Sequence, residues 1–189
     1  MRLNLVLEDP KYLLHRDVVR SVANGLEREV ARALGARCLL RVASRARRAA
    51  AHGSPRFAED MERILVALET HLTAEHCNEA ARLQESLDDE IPSTLETPES
   101  AVLLTFLQAV VDFEACVREG REGEALGLAA WMPLDMLDML EDDGELAPSS
   151  LVRQLADAEV ARQCRDLEEA IDGRVVARDE SVVELQPEP

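Results

Sequence analysis

The sequence predicts an all-α fold, a compact bundle of about six to seven helices, on three observations. Asp9-Pro10, Ser54-Pro55 and Thr97-Pro98 each put a capping side chain ahead of a proline at a first helical position. Apolar residues then recur at helical spacing. Glycines fall where those stretches end: Gly25, Gly53, Gly120, Gly144 and Gly173.

Taken in order, these signals predict helices near 10–24, 26–51, 55–70, 73–88, 98–119, 123–141 and 149–172. The third carries the stripe Phe57, Met61, Ile64, Leu65, Leu68 and Leu72. The fifth carries Val102, Phe106, Ala109, Val110, Phe113 and Val117, and the last is expected to use Leu151, Leu155, Val160, Cys164, Leu167 and Ile171. Pro148-Ser149-Ser150 starts that last helix. The only β alternative is at the chain ends, where Leu3, Leu5 and Leu7 alternate and RVVARDESVVEL at 174–185 suits a hairpin. Residues 1–185 are expected to form one domain, with 186–189 a disordered tail.

At 189 residues and 47% hydrophobic, the chain is long enough to build a core without disulfides. Cys38, Cys77, Cys116 and Cys164 are widely spaced, each within a helical pattern, so reduced and mostly buried thiols in a cytoplasmic protein are expected. The opening MRLNLVLEDP is broken by Asn4, Glu8 and Asp9 and does not match a signal peptide. No uninterrupted apolar run approaches the ~20 residues of a membrane span.

Net charge is −17, which disfavours a general nucleic-acid or anionic-membrane binder. The charge is unevenly spread. Residues 1–56 hold 12 basic against 5 acidic residues, a net +7; the remainder holds 9 against 33, a net −24.

Catalytic motifs are missing. The sequence has no G-x-S-x-G elbow and no phosphate-binding glycine loop, and no Glu-x-x-His of the di-iron kind. His71, Glu75, His76 and Cys77 are the tightest group of metal-type ligands and motivate a metal-dependent enzyme as one alternative. Their spacing matches no zinc motif, Thr73 starts a helix among them, and a polar helix junction accounts for them better. No metal or cofactor is assigned.

Arg28 and Arg32, then Arg37, Arg41, Arg45 and Arg48, recur at helical spacing and motivate a second alternative, a nucleic-acid-associated regulator. With five aromatics in the chain and none interleaved with these arginines, a face that packs beside acidic helices or is simply solvated explains them better.

Two acidic segments stand out. Asp88, Asp89 and Glu90 precede a loop, and no basic residue occurs from Gln84 to Val117. Asp135, Asp138, Asp142 and Asp143 lie between Pro133 and Pro148, where again no base occurs. The second segment shares its helix with Met132, Leu134, Met136, Leu137, Met139 and Leu140, whose spacing fits core packing, with Asp135 and Asp138 on the remaining face.

Leu87-Asp88-Asp89-Glu90-Ile91-Pro92-Ser93, followed by a helix ending Asp112-Phe113-Glu114-Ala115-Cys116-Val117, resembles the YjaG-like family of all-α bacterial proteins. The final helix, Asp157 to Glu168, is similar to that family's closing helix. The resemblance covers the C-terminal half and implies a cytoplasmic helical domain. It transfers no catalytic residue.

The expected function is therefore a non-enzymatic acidic domain that binds a basic protein, as an immunity protein binds a nuclease-like toxin. The expected contact residues are Asp88, Asp89, Glu90, Asp135, Asp138, Asp142 and Asp143.

Overall fold

A computed structural model describes residues 9–70, 72–91, 98–142 and 149–173. Among these residues there are eight helices and no strand: α1 Pro10–Ala23, α2 Arg28–Leu40, α3 Ala43–Ala50, α4 Pro55–Thr70, α5 Ala74–Glu90, α6 Pro98–Arg118, α7 Glu122–Asp142 and α8 Ser149–Ile171. The all-α bundle is as expected. The proposed terminal strands at 3–7 and 174–185, and the tail at 186–189, lie outside the described residues.

The caps act as their chemistry requires. Asp9 Oδ1 accepts the Lys11 N–H at 2.9 Å, and Ser54 Oγ accepts the Phe57 N–H at 3.2 Å. Thr73 opens α5, where its own N–H donates to Nδ1 of His76 at 3.2 Å.

One expected element divides. The helix expected over 26–51 breaks at Arg41–Val42, where Val42 takes φ −104° and ψ 4° before α3 begins. No glycine or proline marks the break, because both halves keep helical spacing. The break lets Ala43, Ala46, Ala49 and Ala50 turn inward, while Arg41 is directed at the last helix.

The order of packing follows from paired residues. Ser54 meets Glu90 and Arg63 meets Glu79, so α4 and α5 run antiparallel. Gln84 meets Gln108 across α5 and α6. Residues 119–121 turn α6 back into α7, and these two form the most extensive helix pair. α1 lies antiparallel along α7, with Asn24 beside Gly123, Arg20 beside Gly127 and Arg16 over the Trp131 ring at 5.2 Å. α8 runs antiparallel to α7 and parallel to α1, as Gln163–Ala130, Lys11–Asp157 and His15–Gln163 show.

α6 is the central helix, packed by α2, α3, α5 and α7. Ser100–Arg118 is long and apolar enough to cross a bilayer by length and composition, with mean hydropathy 1.6. More than half of that stretch is buried against those neighbours, while Leu104 is exposed. Leu103, Phe106, Leu107, Val110 and Phe113 form the middle of one hydrophobic cluster running from Tyr12 to Leu167. The Phe113 ring packs against Gly35, where any Cβ would collide with it. Burial of five such side chains contributes on the order of 10 kcal/mol before chain entropy opposes it.

The Met-rich segment is core. Met132, Leu134, Met136, Leu137 and Leu140 are all buried and Met139 is partly so, as their spacing predicts. Pro133 sits inside α7 and takes away one helix hydrogen bond. Three residues earlier, the Ala130 carbonyl accepts the Gln163 side-chain amide at 2.8 Å.

Candidate functional site

Antiparallel packing about α6 brings the two acidic segments to one end of the bundle. α5 finishes at that end with Asp88, Asp89 and Glu90, and α7, also packed on α6, finishes there with residues 135–142. Neither α5 nor α7 has a basic residue in its last turn. Carboxylates at helix C-termini add to the negative end of the helix dipole, which is unfavourable for the helix that carries them.

The individual residues differ. Asp89 is exposed. Glu90 belongs to the scaffold: its Oε2 accepts the Ser54 N–H at 2.8 Å, at the N-terminus of α4. Hydrogen bonds from Ser54, side chain and then backbone, hold the Glu90 carboxyl below the usual carboxylate range. Asp138 is buried at 3% exposure, so the expectation that it faces a partner is corrected. The three-residue leucine period that placed it on an outer face ignored that α7 is packed by α1, α2, α6 and α8, leaving little of it outward. Asp135 is partly exposed, and burial, then the neighbouring Asp138, raise its pKa. Asp88 and Asp142 lie within α5 and α7, and Asp143 lies outside the described residues.

A second polar constellation was not foreseen from the sequence. On α8, Val152, Ala156, Glu159, Gln163, Asp166 and Leu167 face inward, and three of them are polar. Arg41 Nη1 donates to Glu159 Oε1 at 2.5 Å and Arg41 Nη2 to Asp166 Oδ2; Arg37 Nη1 reaches Asp166 Oδ1 at 3.2 Å. Gln163 Nε2 donates to Glu159 Oε1 and to the Ala130 carbonyl, both at 2.8 Å. Its Oε1 must then face His15, 2.8 Å away, so His15 Nε2 carries the donated proton. Further along, Tyr12 Oη and Lys11 Nζ both donate to Asp157 Oδ1, at 2.8 and 2.5 Å. Burial, then the Asp157 hydrogen bond, push the Tyr12 phenol upward. Lys11 and Tyr12 in turn hold Asp157 below its ordinary range.

These contacts decide the arginine question. Arg41 is buried and Arg37 nearly so, both occupied by carboxylates of α8. The four-arginine face therefore does not present itself to a nucleic acid as a whole; Arg48 is exposed and Arg45 partly so. Of the two simpler accounts, packing beside an acidic helix holds for Arg37 and Arg41 and an outward-facing side chain for Arg48.

The metal alternative fares similarly. His76 Nδ1 is engaged at the start of α5 by the Thr73 N–H and by Thr73 Oγ1 at 2.8 Å. Cys77 is buried and Glu75 exposed, while His71 lies outside the described residues. Among the described residues no group of three His, Cys, Asp or Glu side chains is placed to hold an ion. An open groove of about 410 Å³ lies along α4, lined by Glu59, Glu62, Arg63, Val66, Thr70 and His76; Glu62 and Arg63 there already pair with Arg47 and Glu79.

No protein-family model, curated protein or solved structure matches the chain.

Proposed function

We propose that this chain is a non-enzymatic protein-binding domain that receives a basic partner on the acidic end of its bundle. The observation that supports it is that two sequence-distant acidic segments, 88–90 and 135–142, fall at the C-terminal ends of two helices packed on α6, with no basic residue in either last turn. Local helix stability does not account for carboxylates at those ends. The negative potential suits a cationic surface such as the cleft of a nuclease-like toxin, and the chain then acts as a bacterial, cytoplasmic immunity protein that occludes it. Complementary charge of this kind accelerates encounter more than it deepens affinity.

With Glu90 capping α4 and Asp138 buried, the residues that carry this role are Asp88, Asp89, Asp135, Asp142 and Asp143. The test starts from the partner co-purified with the chain from its native cells. Replacing these five with Asn is expected to slow association about tenfold at low salt and to flatten its salt dependence. An unchanged rate at low salt overturns the reading.

A further inference from the structure

Among the described residues six large hydrophobic side chains are exposed, and three of them lie on α1 and α8: Leu14 at 65%, Val18 at 48% and Ile171 at 62%. The two helices run parallel, joined by Tyr12 to Asp157 and by His15 to Gln163. At about 100° per residue, Val160 and Ile171 fall between Asp157 and Gln163 around α8, on the arc turned to α1. Around α1, Leu14 and Val18 each stand about 60° past a residue that meets α8, Lys11 and His15 respectively. They lie on the side away from α7, which α1 meets through Arg16, Arg20 and Asn24. The four side chains therefore border one groove between α1 and α8, with Val160 partly buried and the others open. Singly exposed apolar residues are ordinary on a protein surface, but a shared strip marks a place that something covers.

The way α8 stops indicates what covers it. Gly173 closes the helix at φ +68°; its N–H donates to the Ala170 carbonyl at 3.2 Å, and the Asp172 N–H donates to the Glu168 carbonyl at 3.0 Å. Gly120 closes α6 with the same pattern: φ +73°, its N–H on the Val117 carbonyl at 3.2 Å and the Glu119 N–H on the Ala115 carbonyl at 3.1 Å. There the chain reverses, and α7 runs back along α6. A glycine in the left-handed region just past a helix permits such a turn without strain. Residues 174–185, which lie outside the described residues, carry Val175-Val176 and Val182-Val183, with Arg178, Asp179 and Glu180 between the pairs. The pairs are seven positions apart, about 23 Å of extended chain, against about 17 Å from Ile171 back to Val160 along α8. We propose that residues 174–185 turn back at Gly173 and dock in the groove between α1 and α8, placing their valines against Leu14, Val18, Val160 and Ile171. Attachment fixes the occupant: the segment leaves α8 close beyond Ile171, so its effective concentration at the groove is high. This surface is separate from the acidic end of the bundle, and either proposal stands without the other.

The test uses the full chain and trypsin, which cuts after Arg178 only when the residues around it are free of the bundle. Leu14 and Val18 are exposed, so Leu14→Ser with Val18→Ser leaves the core intact, and circular dichroism is expected to show unchanged helix content. In the natural chain, cleavage after Arg178 is expected to be at least tenfold slower than in a free peptide of residues 170–189. In the double variant it is expected to approach the rate of the peptide. A second variant, Val182→Ser with Val183→Ser, is expected to behave like the first. Three results overturn the proposal: a natural chain cut as fast as the peptide, variants cut as slowly as the natural chain, or protection that disappears on dilution, which would put a second copy in the groove.

Discussion

Arg41 Nη1 donates to Glu159 Oε1 at 2.5 Å across 118 positions of sequence, and each side chain is only 5% exposed. The basic first third and the acidic remainder thus meet inside the molecule. Part of the charge asymmetry is consumed there, in fastening the last described helix to the second.

Removing one member of that contact is expected to be worse than removing all of it. Arg41→Ala strands Glu159 and Asp166 without their main cation and should cost about 3–5 kcal/mol. Replacing Arg41, Glu159 and Asp166 together with Met, Met and Leu should recover most of that loss. Urea unfolding of the two variants, with a check that the slope is unchanged, measures the difference.

Asp157 and Asp135 should respond to pH with opposite signs. Folding lowers the Asp157 pKa through the hydrogen bonds from Lys11 and Tyr12. Its contribution is complete above the unfolded value, about 3.9, and is lost as pH falls through the folded one. The stability deficit of Asp157→Asn is therefore expected at neutral pH and should close in acid. Burial, and secondarily Asp138, raise the Asp135 pKa, so ionised Asp135 opposes folding. Asp135→Asn should be the more stable chain at neutral pH, with its advantage fading below about pH 4. Thermal unfolding across pH 3–7 reads both.

Gly35 and Phe113 set the approach of α2 to α6. Gly35→Ala places a methyl group in the Phe113 ring, which is 1% exposed and has little room to move. The expected cost is about 1–3 kcal/mol. Phe113→Leu in the same chain should recover part of it, measured by thermal unfolding of the single and double variants.

The four thiols should separate by access. Cys38, Cys77 and Cys116 are buried, and burial pushes the Cys38 thiol up to about 12, although the nearby Arg41 acts in the other direction. Cys164 is exposed on α8. Native alkylation at neutral pH, followed by peptide mapping, should modify Cys164 first and Cys38 only on unfolding.

Helix starts were legible because each is a local chemical event. A capping oxygen followed by proline needs no distant partner, and Asp9 and Ser54 cap the helices they were expected to cap. The stripes on α4 and α6 were legible because one side of each helix is uniformly apolar, and Phe57, Met61, Ile64, Phe106 and Phe113 are all buried. The last helix defeated the same method. Leu151 and Cys164 lie more than a third of a turn apart around a helix, so the series read as one stripe wanders off its face. Cys164 and Ile171 are exposed, and Glu159, Gln163 and Asp166 take the inner positions. Polar residues are read as outward unless their partners are known, and here the partners are Arg41 and His15, more than a hundred positions away. The break at Arg41–Val42 and the burial of Asp138 were hidden for the same reason: each depends on what packs nearby rather than on adjacent sequence.

The claim that the acidic end receives a basic partner is tested most directly by carboxyl footprinting of the complex with the co-purified protein. Labelling of Asp89, Asp135 and Asp142 should fall when the partner binds, while Glu29 on α2 and Glu168 on α8 stay as reactive as in the free chain. Protection at Glu29 or Glu168 with Asp89 and Asp142 still fully labelled would contradict the account.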